Sequence, residues 1–401
     1  MNDEASAQTG GHRQVEHLAV VVAVVILAFN LRPALASMAP VLAEVQRSTG
    51  LSSAVAGTLT TVPVLAFGAC APLAPVLGRR FGTEVTLLAA LVVLGAGILV
   101  RSAPSLGGLF AGTVLVGAAI AVGNVLLPAL IKRDFPGRAR QVTGVYSVAL
   151  SAGAALAAGV TVPVEHATGT GWRGVLALWA LPVVAGVAVW AGRLEGAHHD
   201  VRTVRVGGRL WRDRLAWKVT VFMGLQSLGY YALLAWLPTI FEQHGVRPAT
   251  AGWLLALSGF ASLPSALLAP VLASTAARQR VAVAVAVGLN GVALAGLLWR
   301  PAGGAFVWMV VLGIAQGANI ALALSFIVVR APDPDLAAEL SGMAQTVGYL
   351  VASVGPFLMG ALRDATGGWT VPLVVLAAVL VPQVVSGVAA SSAATVGGRP
   401  R

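Results

Sequence analysis

One permanently charged side chain stands in the middle of a long apolar run. It is Arg32, in the stretch Ala28-Phe29-Asn30-Leu31-Arg32-Pro33-Ala34-Leu35, and the run around it extends from about Leu18 to Ala43. As a helix that run is long enough to cross a bilayer. It places Arg32 roughly 15 to 20 Å from either end. A guanidinium at that depth costs several kcal/mol if it faces lipid. Two readings follow. Arg32 faces a wet cavity and binds something anionic or electron-rich, or it snorkels to an interface and pairs with backbone carbonyls. Pro33 adds weight to the first. It removes one helix hydrogen bond and frees the carbonyl of Phe29, which another group must satisfy.

The other polar residues within apolar runs carry no charge. Asn30 lies two residues before Arg32, about 200° around a helix. Either the Pro33 distortion brings both inward or Asn30 packs helices. Asn124 follows a run of small residues that allows close helix approach, and it serves either interhelical bonding or the solute. Gln226 and Tyr230 share a helix face, and Ser227 and Tyr231 form the adjacent stripe. Gln316 and Asn319 follow in a later run; Ser341, Gln345 and Tyr349 recur at four-residue spacing. Tyr146 stands nearer the end of its run and is left open. One cation with neutral donors and acceptors suits a small polar or anionic, planar ligand: Arg32 for charge, tyrosine faces for stacking, Gln and Asn for orientation. The candidate binding set is therefore Arg32, Asn30, Asn124, Gln226, Tyr230, Tyr231, Gln316, Asn319, Gln345 and Tyr349.

The elements that must position these residues are set by composition. The chain has 401 residues, 57% hydrophobic and 10% charged, where soluble domains carry about 25% charged. The mean hydropathy is +0.85. These values describe an integral membrane protein. Twelve apolar segments are read at about 18–41, 53–76, 85–101, 107–131, 141–163, 173–193, 217–241, 250–273, 280–299, 303–329, 339–362 and 369–390. The first is too long for a signal-peptide core and stays as a span. With the N-terminus inside, 19 of the 26 Lys and Arg fall on one side and six on the other, Arg32 being the remaining one. That asymmetry predicts a plasma-membrane protein with both termini cytoplasmic. It also accounts for the net charge of +11 without nucleic acid.

A polar interval divides the chain. The expected organisation is a tail at 1–16, a six-helix bundle at 17–193, a linker at 194–216, a second bundle at 217–391 and a tail at 392–401. His198 and His199 read as part of a solvated linker and not as metal ligands, since the interval lacks Cys and H-x-x-x-H spacing. The halves repeat: Ala74-Pro75-Val76-Leu77 returns 195 residues later as Ala269-Pro270-Val271-Leu272, and Gly123-Asn124 as Ala318-Asn319. The fold predicted is an all-α membrane protein of twelve transmembrane helices in two pseudo-symmetric six-helix bundles. In that architecture solute sites lie at the midplane between halves that rock about them. No metal site, phosphate loop or nucleophile elbow is present, so no enzyme and no cofactor is expected. No Asp or Glu lies deep in a segment. Either movement is facilitated, or a proton travels on the solute or through a group near a helix end.

The layout resembles the major facilitator superfamily. Asn30-Leu31-Arg32-Pro33, Thr60-Thr61-Val62-Pro63-Val64-Leu65, Gly123-Asn124-Val125-Leu126-Leu127-Pro128 followed by Lys132-Arg133-Asp134-Phe135-Pro136, Gln226-Ser227 before Tyr230-Tyr231-Ala232-Leu233-Leu234-Ala235-Trp236-Leu237-Pro238, and Ser341-Gly342-Met343-Ala344-Gln345 resemble its cyanate and 2-nitroimidazole transporter branch. The resemblance implies a rocker-switch fold and transport of small solutes; joined to the reading of the polar residues, it gives secondary or facilitated transport of a small solute with Arg32 as main contact. The chain departs from the superfamily's G-x-x-x-[DN]-R-x-G-R-[RK] loop by placing Arg79 at the acidic position. Glu84 is the acid that could substitute as an inter-helix latch. The expected working unit is a monomer in the lipid bilayer that binds a small-molecule substrate. The alternatives are a broad drug exporter, which a buried Arg disfavours, and a non-transporting sensor, which should carry a signalling domain that neither tail has room for.

Overall fold

The computed structural model describes residues 19–135, 139–192, 210–332 and 334–397. Among these it is helical, with no strand. Twelve helices are long and apolar enough to span a membrane: α1 (Ala19–Thr49), α2 (Ser53–Cys70), α3 (Thr83–Arg101), α4 (Leu106–Ile131), α5 (Val145–Thr168), α6 (Gly171–Ala191), α7 (Arg214–Gln243), α8 (Pro248–Leu272), α9 (Ala276–Trp299), α10 (Ala305–Arg330), α11 (Glu339–Thr366) and α12 (Thr370–Ala390). All twelve expected segments are present. The second is interrupted: α2 stops at Cys70, and Leu73–Phe81 forms a separate short helix after Pro72. His198, His199 and residues 1–16 lie outside the described residues, as does most of the expected linker. α7 begins at Arg214, three residues before the expected 217, because the Asp213 carboxylate accepts from the amides of Leu215 and Ala216 and caps it there.

The repeat is visible in backbone geometry. The α1–α2 turn pivots on Gly50 (φ 70°) and the α7–α8 turn on Gly245 (φ 84°), 195 residues apart. Both sit in the left-handed region that a side chain would strain. We call the face at which α1 begins and α12 ends the near face, and the opposite one the far face. The segment after α12 does not hang free. Val396 is fully buried, its amide donates to the Arg330 carbonyl at 2.8 Å, and the Gly397 amide donates to Asp213 at 2.7 Å.

The halves are drawn together on the far side. α2 runs along α11, α5 along α8, and the far part of α1 along α7, whereas α4 and α10 have no comparable contact. Small residues permit the approach, as in other membrane bundles. A Cβ at Gly57 would stand 2.6 Å from the Pro356 carbonyl oxygen, and one at Gly252 would stand 2.4 Å from that of Ala158. Asp364, on α11, caps α2 in the other half, accepting from the amides of Ser53 (3.1 Å) and Ala54 (2.7 Å). An N-cap carboxylate stabilises a helix start by about 1 kcal/mol. Asp364→Ala should therefore loosen far-side closure about fivefold. The check is the labelling rate, by a polar thiol reagent, of a cysteine placed at Thr239 beside that seam in a Cys70→Ser background.

Candidate functional site

The site begins with a break. α1 is interrupted at Leu31–Arg32 and again at Ser37, leaving Pro33–Ala36 as a short turn between two longer helices. Proline has no amide hydrogen and its ring crowds the carbonyl four residues back. That carbonyl, of Phe29, abuts Gly153 of α5, where a Cβ would be 2.5 Å from the oxygen and 3.3 Å from Pro33 Cδ. Glycine at 153 thus lets α5 seat against the distorted turn. The second interruption frees the Ala34 carbonyl. Arg101, at the end of α3, donates to it and also reaches Ser37 Oγ at 3.4 Å. Arg101 is the last residue of α3, a position where a cation commonly points to solvent. It is instead buried, 2% exposed, because the broken helix offers acceptors that an intact one does not.

The break turns Arg32 toward the second half. Its Nη1 donates to Tyr231 Oη of α7 at 3.4 Å. All four tyrosines of the chain, Tyr146, Tyr230, Tyr231 and Tyr349, lie within electrostatic range of the guanidinium. Tyr231 packs edge-on against Tyr230 (5.0 Å between centroids), Tyr349 (6.3 Å) and Phe67 (6.2 Å); Phe67 also meets Tyr349 at 5.6 Å. Among the described residues no carboxylate pairs with Arg32, the ion pairs being those of Arg133 with Glu84 and Asp134. A cation so placed has phenolic hydroxyls for company and no counter-ion. It can take up an anionic or electron-rich group, with aromatic rings beside it to flank a planar body.

The expected residues divide. Arg32, Tyr230, Tyr231 and Tyr349 meet at the seam. Gln226, Gln316 and Asn319 line a small cavity inside the second half that Tyr230 also borders. Gln345 donates to Ser341 on its own helix at 2.8 Å. Asn124 is half-buried, and its Oδ1 has no hydrogen-bond partner. Asn30 does not join the seam. It is 3% exposed, donates to the Ile26 carbonyl at 2.8 Å and lies against Gly186 of α6. The break leaves it on the helical side, so it packs the first half, as the 200° separation allowed. Two residues missing from the expected set belong to the group. Tyr146 lies near the end of its apolar run, and Phe67 carries no polar atom to mark it; the meeting of Phe67 with Tyr231 and Tyr349, and the reach of Arg32's charge to Tyr146, have no signature in spacing. Glu84 does act as an inter-helix fastener. It pairs with Arg133 of the extended α4, and its carbonyl accepts from Trp190 Nε1 at 2.9 Å. Both partners lie in the first half.

Twelve spans in two related halves, with a half-buried arginine where the halves meet, define a multi-pass membrane transporter of small solutes. The chain belongs to the Major Facilitator Superfamily, whose model matches residues 18–356 and 225–390. It is 41% identical to the 2-nitroimidazole transporter of Escherichia coli (strain K12), over 89% of this chain and 91% of that protein. It is 30% identical to the cyanate transport protein CynX of the same organism, over 87% and 91%. A bacterial homologue of the human lysosomal transporter Spinster, solved inward-facing and unoccupied, shares the fold with a TM-score of 0.79 at 16% identity, over 93% of this chain and 96% of that one.

Proposed function

We propose that the protein carries a small, planar, polar or anionic solute across the plasma membrane, holding it against Arg32 while the halves rock about the seam. The observation that carries this reading is the guanidinium at the seam, bonded to Tyr231 within a cluster of tyrosines and without a carboxylate partner among the described residues. A half-buried charge at membrane depth without a counter-ion is costly, and a bound anion or electron-rich ring offsets that cost. The names of the two relatives, for 2-nitroimidazole and cyanate, fall within this class. Far-side packing of α1 with α7, α2 with α11 and α5 with α8 supports alternating access, with closure at that face in this state. The excess of Lys and Arg on the near face supports cytoplasmic termini. The protein acts as a monomer, since both walls of the site come from one chain.

A thermal-shift screen of the detergent-purified protein tests the proposal. Cyanate, 2-nitroimidazole and related small anions and azoles should each raise the melting temperature at saturation. A ligand at a hundred times its Kd stabilises the folded state by about 2.7 kcal/mol. Stabilisation by many unrelated lipophilic cations, with none from small anions or azoles, would establish the drug-exporter reading in its place.

A further inference from the structure

We infer that the second half contains an uncharged subsite, built from carboxamides, that takes the hydrogen-bonding edge of a neutral azole or amide. It is distinct from the cationic subsite at Arg32 and rests on the reading of Arg32 just given. The subsite is the cavity among α7, α9, α10 and α12, lined by Gln226, Tyr230, Asn290, Gln316, Asn319 and Gln383; with a volume of about 20 Å³ it admits one water-sized polar group of the ring's edge and not the ring itself. Asn290 and Gln383 were not among the expected binding residues.

Three observations support it. First, much of its hydrogen-bonding capacity is unspent. Asn319 is satisfied, donating to the Ala315 carbonyl at 2.8 Å and accepting from Gln383 Nε2 at 3.2 Å. Gln226 Nε2 donates to Ser227 Oγ at 2.6 Å. The remaining oxygens of Gln226 and Gln383, and both ends of Asn290 and Gln316, make no hydrogen bond among the described residues, yet none is sealed into packed protein. Amide groups at membrane depth seek partners, and a ligand edge with donors and acceptors provides them.

Second, the fold does not require these amides. The first half has the same helices, and 195 residues earlier the places of Gln226, Tyr230, Asn290 and Gln316 are held by Leu31, Leu35, Gly95 and Ala121. Only Asn319 keeps its counterpart, Asn124. Apart from Asn319 this polar lining is present in one half of a repeated scaffold, so the helix packing that the halves share does not account for it.

Third, the subsite adjoins the seam. Tyr230 and Gln316 also line a second cavity, which reaches Ser151 and Ala155 of α5 in the first half and Ser258 of α8. Both chambers share these two side chains, and Tyr230 packs edge-on against Tyr231, which holds Arg32. Carboxamides carry no net charge. The subsite therefore adds affinity for a neutral ring and little for a small anion, which the guanidinium holds alone.

Equilibrium binding of radiolabelled 2-nitroimidazole and cyanate to the purified full-length protein tests the division. Asn290→Leu and Gln383→Leu should each weaken 2-nitroimidazole binding at least tenfold and change cyanate binding less than twofold. Asn290→Ser repeats the measurement if either leucine variant fails to elute as a folded monomer. Unchanged 2-nitroimidazole binding in the folded variants, or an equal loss for both probes, overturns the subsite. Arg32→Ala separates the two readings. If it binds both probes normally while the amide variants lose 2-nitroimidazole, the cationic site falls and the subsite stands. A wild-type protein that binds neither probe overturns both.

Discussion

Arg32→Ala will fold, insert and elute as the wild type does, yet will bind its solute at least a hundredfold more weakly. The fold does not depend on this side chain. Its recorded protein hydrogen bond is the 3.4 Å contact to Tyr231, and the break in α1 is set by Pro33 and accommodated by Gly153. The solute loses more. A hydrogen bond to a charged group is worth about 1.5 to 3 kcal/mol, and a planar fork makes two in parallel. The sum, about 3 kcal/mol or more, exceeds a hundredfold in Kd. Arg32→Lys keeps the charge but loses the fork, and should recover less than a tenth of wild-type transport in proteoliposomes. Normal counterflow by reconstituted Arg32→Ala would remove Arg32 from the site.

The second large effect is expected from a single methyl group. Gly57→Ala places a Cβ 2.6 Å from the carbonyl oxygen of Pro356, where backbone and not a flexible side chain would have to give. α2 and α11 then cannot close as they do here, and the far-side seam should stay parted. We expect transport below a tenth of wild type and more than tenfold faster labelling of a cysteine at Thr239, which is 3% exposed beside the seam. Binding at Arg32, measured in detergent, should fall far less than transport, because the guanidinium and its tyrosines lie off the α2–α11 contact at Gly57. Wild-type transport by a well-folded Gly57→Ala would mean that this seam does not open and close in the cycle.

The amino-acid sequence by itself determined the number of spans, their division into two repeated halves and the anomaly of Arg32. The reason is the solvent. A bilayer demands runs of about 20 apolar residues with satisfied backbones, and any charge inside one is conspicuous against that background. The Leu73–Phe81 interruption escaped because hydropathy does not register a local break. What only the tertiary structure decided is the direction in which each polar side chain faces. Rotation of a helix about its own axis depends on how its neighbours pack, and the break at Leu31–Arg32 shifts the register of everything beyond it. Asn30 and Arg32, two residues apart, consequently end in different places, one against Gly186 and the other against Tyr231. Arg101 is drawn inward by the Ala34 carbonyl, which is free to accept only because α1 is broken, and by the Ser37 hydroxyl. Tyr146, Phe67 and Tyr349 come from three helices, and no spacing within one chain segment could have joined them. Depth in the membrane is a property of position along the sequence; membership of a site is a property of which faces meet.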